Sequence, residues 1–197
     1  MRIISGIGRG LQLRTPPGRR TRPTLDRVRE AIFSVIGEVQ AASVVDLFAG
    51  SGALGLEALS RGAERVLLVE NDRRAVRVLR DNLDHLMTSF SAAGVTLPEA
   101  EVVVCDAFTA PRKLARRAGQ AEIVFADPPY GRDASESGSK GAEELLLDSE
   151  LTGWMNGALL VLEHDWRARL PWYPATQWQC LKTRKFGDCA VSFARTG

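Results

Sequence analysis

Cysteine is scarce in this 197-residue chain: Cys105, Cys180 and Cys189 are the only three. An odd number at wide spacing provides neither a disulfide framework nor a zinc site. The expected compartment is the reducing cytoplasm, and no metal is expected. Long apolar runs are also missing. None approaches the roughly 20 residues that span a bilayer, so no membrane partner is expected. Met1-Arg2-Ile3-Ile4-Ser5-Gly6 has no long apolar core and no cleavage pattern of a secretory signal. No internal repeat is present. Acidic residues are rare at the start, where residues 1–30 hold only Asp26 and Glu30 against eight arginines.

The composition, 45% hydrophobic and 25% charged, is that of a globular chain long enough for a real core. Net charge is only +2, so the placement of charge says more than its total. Clustered arginine suits phosphate backbones, through bidentate hydrogen bonds as well as charge. Nucleic acid is therefore the expected partner of residues 1–23, with Arg9, Arg19, Arg20 and Arg22 as candidate contacts. Arg2-Ile3-Ile4 and Leu11-Gln12-Leu13 read as a small hairpin on a glycine-rich link. Thr15 to Pro23 holds three prolines and one glycine and is not helical.

Residues 24–197 read as a single domain. A helix starts at Thr24, carries Val28, Ala31, Ile32, Val35 and Ile36 at helical spacing, and stops at Gly37. From Val44 on, strands and helices alternate. Strands are expected at 44–48, 66–69, 102–104, 123–126 and 158–162, and a closing antiparallel pair at 177–183 and 189–194. Helices are expected at 53–61, from Asp72 through Leu86, at 107–117 and at 142–151. Residues 88–98 are expected to form a loop, and 131–141 a polar, mobile one. This alternation predicts an α/β, doubly wound, mostly parallel sheet with helices on both faces. Ligands of such sheets bind beyond the C-terminal strand ends.

The chain is organised around Ser43-Val-Val-Asp-Leu-Phe-Ala-Gly-Ser-Gly-Ala-Leu-Gly55, a strand, a tight glycine turn and a helix start. Gly50, Gly52 and Gly55 fit the G-x-G-x-x-G fingerprint of dinucleotide sites. Asp46 argues against that ligand. A carboxylate beside the turn would repel a pyrophosphate by roughly 1 to 4 kcal/mol at 4 Å, and it would attract a cation. S-adenosyl-L-methionine carries a sulfonium and an ammonium against one carboxylate and has no phosphate, so it is the favoured cofactor. The bland alternative is a carboxylate held by the turn's own N–H groups.

Two further strands end in acids, Glu70 and Asp106. Glu70 follows Asp46 by 24 residues, near the offset at which an acid meets a ribose. Its carboxylate is expected to accept from both ribose hydroxyls, and Asp106 from the adenine amine. The candidate cofactor residues are thus Asp46, Phe48, Gly50, Gly52, Glu70, Asn71, Asp106 and Ala107. The fourth strand delivers Asp127-Pro128-Pro129-Tyr130 to the same edge. Proline disfavours helix in the residue before it and has no N–H, so the segment is rigid and extended. Methylating an aromatic amine requires its delocalised lone pair to be turned toward the methyl donor. The Asp127 side chain and the Pro128 carbonyl can grip the two N–H groups, and Tyr130 offers a face for the base, a contact worth roughly 1–3 kcal/mol.

With these residues in place, the chain resembles class I S-adenosylmethionine-dependent amino-methyltransferases. Arg2-Ile3-Ile4-Ser5-Gly6, the Thr21 to Glu30 block and the Gly52 to Gly62 block resemble one subfamily, the bacterial 16S rRNA guanine-N2 methyltransferases that act at position 966. The resemblance runs to Phe186-Gly187-Asp188. It implies a seven-stranded Rossmann-like methyltransferase fold. It also implies 16S rRNA as partner, within a small ribosomal subunit or an assembly intermediate, with the basic arm on the RNA backbone. A base within RNA structure must leave its stack to be reached. Three rivals stay open on the residues alone: an adenine-N6 methyltransferase acting on DNA or RNA, a nicotinamide-dependent oxidoreductase, and a silent RNA-binding factor.

Overall fold

The computed structural model describes residues 1–16, 24–114, 121–129 and 141–197. In chain order the elements are α1 (Thr24–Ile36), β1 (Ser43–Asp46), α2 (Ala53–Ser60), β2 (Arg65–Glu70), α3 (Arg73–Ala92) and β3 (Glu99–Val104). A 3-10 turn (Ala107–Thr109), α4 (Ala110–Leu114), β4 (Ile123–Ala126), α5 (Ala142–Leu147), α6 (Ser149–Trp154), β5 (Leu159–Asp165), β6 (Trp178–Phe186) and β7 (Cys189–Thr196) follow. The strands form a mixed seven-stranded sheet in the order β3-β2-β1-β4-β5-β7-β6. This is the α/β arrangement that strand–helix alternation predicts. The chain divides into two compact units, Met1–Ala107 and Phe108–Gly197.

In the first unit, β1 and β3 both pair with β2 in parallel, and every residue of β2 after Arg65 is buried. Such strands read as near-continuous apolar runs, which is why Val66-Leu-Leu-Val69 was legible. Helix α2 lies against this layer. A Cβ on Gly55 would meet Leu68 Cδ2 at 2.4 Å, so the third glycine of the fingerprint permits close helix–strand packing. Helix α3 begins at the Asp72 cap, whose side chain accepts from the Arg74 N–H. It continues to Ala92 and so overrides the loop expected from residue 88. Phe90 extends the buried stripe of Leu79 and Leu86 by one more turn, and Gly94 (φ 65°) provides the stop.

The N-terminal hairpin forms, with an antiparallel bridge between Arg2 and Gln12. Two groups on α2 hold it. The buried Glu57 carboxylate accepts from the backbone N–H groups of Ile4 (2.7 Å) and Ser5 (3.0 Å) and from Arg61 Nε (2.7 Å). Ser60 accepts the Gly8 N–H on its hydroxyl and the Ile7 N–H on its carbonyl, both at 2.9 Å. Arg29 of α1, also buried, donates to the Arg2 carbonyl and to Asp26. Burial lowers the pKa of the Arg29 guanidinium, and the charge of Glu57 opposes that shift.

In the second unit, β4 pairs in parallel with β5, and β7 runs antiparallel between β5 and β6. The closing pair is therefore as expected, with Gly187 (φ 66°) in its turn. The single helix expected over 142–151 is two. Asp148 is extended (φ −76°, ψ 108°) and caps the second piece by accepting from the Leu151 N–H at 2.9 Å. The break brings Thr152 Oγ1 under the fully buried Trp178, whose Nε1 donates to it at 3.1 Å. The helix expected over 107–117 is a 3-10 turn followed by α4 as far as Leu114. Residues 115–117 of that expectation, and the loop expected over 131–141 apart from Gly141, lie outside the described residues.

Glu57 tests this reading of the first unit. Glu57→Ala leaves two hairpin N–H groups and Arg61 Nε without their acceptor and removes a charge that supports the buried Arg29, which keeps its ion pair with Asp26. Removing one partner of a buried charge pair typically costs about 3–5 kcal/mol. Urea unfolding should show a loss of that order, whereas a loss below about 1 kcal/mol would mean that the hairpin does not depend on Glu57.

Candidate functional site

In the first unit, parallel pairing places the ends of β1, β2 and β3 along one edge, with Asp46 opposite Leu68 and Glu70 opposite Val104. Asp46 is the last residue of its strand and 3% exposed. Its Oδ2 accepts from the Gly55 N–H at 3.1 Å, and the Phe48 N–H also donates to the carboxylate. Burial raises its pKa from 3.8 to about 7, the nearby Glu70 charge adds to the rise, and the two N–H donors oppose it. The carboxylate is thus bound to the turn's own backbone.

Glu70, 8% exposed, is likewise held by backbone donors. Its Oε2 accepts from the Gly50 N–H at 2.8 Å. Its Oε1 accepts from the N–H groups of Asn71 (2.9 Å) and Asp72 (2.8 Å). A carboxylate has about four acceptor sites, so one remains. The turn itself needs positive φ at Gly50 (55°) and Gly52 (87°), and Gly52 abuts Leu79 and Leu56 closely enough to exclude a side chain. Phe48 is half-buried, Asn71 exposed, Asp106 exposed just past β3, and Ala107 buried. All eight expected cofactor residues therefore lie in one unit, around one strand edge.

One residue of this region carried no legible signal. Asn82 of α3 is fully buried within a stripe that otherwise reads as apolar. Its amide brackets one residue: Oδ1 accepts from the Arg14 N–H and Nδ2 donates to the Arg14 carbonyl, both at 2.9 Å. The same Nδ2 donates to the Ser51 carbonyl, also at 2.9 Å. It ties the glycine turn to the residues that lead into the arginine-rich segment. Spacing alone offers no way to tell such an asparagine from a surface one.

In the second unit, β4 is buried at all four positions and delivers an exposed Asp127 and a buried Pro128 just beyond its end. Tyr130 lies outside the described residues, as do Arg19, Arg20 and Arg22. Arg9 is exposed on the hairpin turn and shares a shallow cleft with Arg2, Asp26 and Glu30, so acids of α1 lie close to its charge.

A family model described as Conserved hypothetical protein 95 matches residues 1–195. The chain belongs to this family. It is 37% identical over 192 residues to Ribosomal RNA small subunit methyltransferase D of Escherichia coli (strain K12), covering 96% of this chain and 87% of that one. It is 37% identical over 172 residues to the putative rRNA methyltransferase YlbH of Bacillus subtilis, covering 87% and 86%. The solved putative methyltransferase yhhF from Escherichia coli superposes with a TM-score of 0.69 at 32% identity, covering 100% of this chain and 97% of that one. The fold of this family member is thus the Rossmann-like methyltransferase fold.

Two consequences are measurable. Asp46 keeps its proton to about pH 7 in the folded chain and loses it near 3.8 when unfolded. The raised pKa contributes stability that is complete below pH 3.8 and is lost as pH rises through 7. Asp46→Asn should remove this loss, so its stability relative to wild type rises steadily from pH 4 to 7 in urea titrations; a pH-independent difference contradicts the assignment. Asn82→Leu should leave the Arg14 N–H and two carbonyls unpaired, at about 1–3 kcal/mol for each buried group. Hydrogen exchange should then rise at Arg14 more than at Leu86 on the same helix, and equal rises would reduce Asn82 to a packing residue.

Proposed function

We propose that this chain transfers a methyl group from S-adenosyl-L-methionine to the exocyclic N2 amine of a guanine in small-subunit 16S rRNA, the guanine at position 966 by resemblance to its subfamily. The observation that carries the reading is Asp127-Pro128, set immediately past a wholly buried parallel strand in a chain whose relatives bear rRNA methyltransferase names. The acid-bearing edge of the first unit supports the cofactor assignment. Asp46 faces the cationic end, the Gly50–Gly52 turn allows close approach, and Glu70 shapes that turn while its remaining acceptor site serves a ribose hydroxyl. Phe48, Asn71, Asp106 and Ala107 complete the cofactor site. This is a narrower role for Glu70 than gripping both hydroxyls.

The cofactor supplies an electrophilic sulfonium methyl. The protein supplies geometry. Asp127 and the Pro128 carbonyl accept the two N–H groups of the target amine, which turns the nitrogen lone pair out of conjugation and toward the methyl. The nitrogen becomes acidic as the N–C bond forms, so no strong base is needed, and Asp127 is placed to receive the proton. Tyr130 stacks on the base. Orientation and fixed polar groups of this kind act mainly in the transition state. Residues 1–23, with Arg9, Arg19, Arg20 and Arg22, hold the RNA backbone. The site needs no metal in this scheme, and the rRNA is presented within a small-subunit particle.

Single-turnover transfer to small-subunit particles tests the scheme. Asp127→Ala should lower the rate about 100-fold or more, as for removal of a preorganised polar group, with cofactor affinity intact. Tyr130→Phe should be mild and Tyr130→Ala severe. A native rate in Asp127→Ala removes the Asp-Pro-Pro-Tyr assignment, and methyl found on adenine moves the reading to its N6 rival.

A further inference from the structure

The second unit holds a basic and aromatic cluster that the foregoing scheme does not use. Edge strand β6 exposes Lys182, Thr183, Arg184 and Lys185 in succession. Lys182 and Arg184 alternate with Thr183, so they share one face of the strand about 7 Å apart, a spacing similar to that of neighbouring phosphates along an RNA strand. Lys185, on the opposite face with Thr183, places its Nζ 4.6 Å from the ring centroid of Trp166, a large aromatic that is 44% exposed, so the two faces meet only around the free edge of β6. Two nearby acids engage Arg167. Asp188 pairs with Arg167 at 3.1 Å, and Asp165 accepts the Arg167 N–H. Among the described residues, no ion pair joins an acid to Lys182, Arg184 or Arg169.

Register places this cluster at the end of the unit from which Asp127 leaves. Ala126 pairs with Leu162, and Asp165, three residues further along β5, pairs with Cys189, which pairs with Phe186. Trp166, Arg184 and Lys185 therefore flank the row beyond the C-terminal end of β4. The lateral distance from β4 to β6 is three strand spacings, about 14 Å. A polynucleotide whose base is handled at Asp127 runs within reach.

We propose that the free edge of β6, with Trp166, forms a second RNA-binding surface that an RNA strand crosses, in which Lys182 and Arg184 contact successive phosphates from one face and Trp166, on the Lys185 face, takes an unstacked flanking base. The proposal rests on the rRNA reading above and assigns RNA contact to the second unit as well as to the N-terminal arm. A single arm fixes affinity but leaves the strand free to swing. A second contact beside Asp127 sets which nucleotide arrives there.

The test uses the full chain with two probes, deproteinised 16S rRNA and small-subunit particles, each titrated across a salt series. Lys182→Glu combined with Arg184→Glu should weaken binding at least tenfold and reduce the log–log salt slope by about 1.4 to 1.8, the contribution of two phosphate contacts. Trp166→Ala should weaken binding about tenfold with the slope unchanged. Affinity for S-adenosylhomocysteine and the unfolding midpoint should stay at wild-type values. If the wild type binds and the double variant binds with equal affinity and slope, this surface is wrong and the rRNA reading stands. If the double variant self-associates while RNA affinity persists, the cations only guard the strand edge, and the proposal falls. A wild type that binds neither probe overturns the rRNA reading together with this surface.

Discussion

Backbone N–H groups at a helix start and a tight turn must find acceptors, and in the first unit buried carboxylates provide them. Asp46 takes Gly55 and Phe48, Glu70 takes Gly50, Asn71 and Asp72, and Glu57 takes Ile4 and Ser5. Each acid costs free energy to bury and is kept because several donors converge on it. The glycine turn is thereby shaped before any ligand arrives. The same acids gather at one strand edge, so a single device both satisfies the backbone and sets the carboxylates there.

The strands were legible because buried parallel strands are short apolar runs set between glycine and polar punctuation. Val66 to Val69 and Ile123 to Ala126 fit that description, whereas the closing antiparallel pair was marked by the turn at Gly187. The failures were at helix ends. Phe90 sits one turn past the apparent end of α3, beyond a polar Thr88-Ser89 that masks the stripe, and Asp148 looks like an ordinary helical acid until its side chain is seen to cap the next turn. Spacing placed Asp46, Glu70 and the glycines at one strand edge, and it offered the turn's own N–H groups as partners for Asp46, which the structure shows, but not those of Glu70. Glu70 proved to be largely committed to its own turn. Asn82 was invisible because its function lies in a contact 68 residues away in sequence.

The hairpin illustrates a different limit. Its arginines are read as charge, yet what fixes it to the unit is a set of backbone N–H groups, which every sequence possesses. Glu57 and Ser60 look like routine positions on an apolar helix, and both are buried because the hairpin covers them. A basic segment mounted on such a base differs from a free tail. Arg2 and Arg9 are thereby carried on a hairpin tied to α2.

All four tryptophans, Trp154, Trp166, Trp172 and Trp178, fall in the second unit. Trp178 is enclosed and hydrogen-bonded to Thr152, whereas Trp166 reaches solvent beneath Lys185. Indole emission shifts to the blue in apolar surroundings and to the red in water, so the two residues emit at opposite ends of the band. The intrinsic fluorescence of this protein is therefore a report on its second unit alone, with the glycine turn and its acids spectroscopically dark.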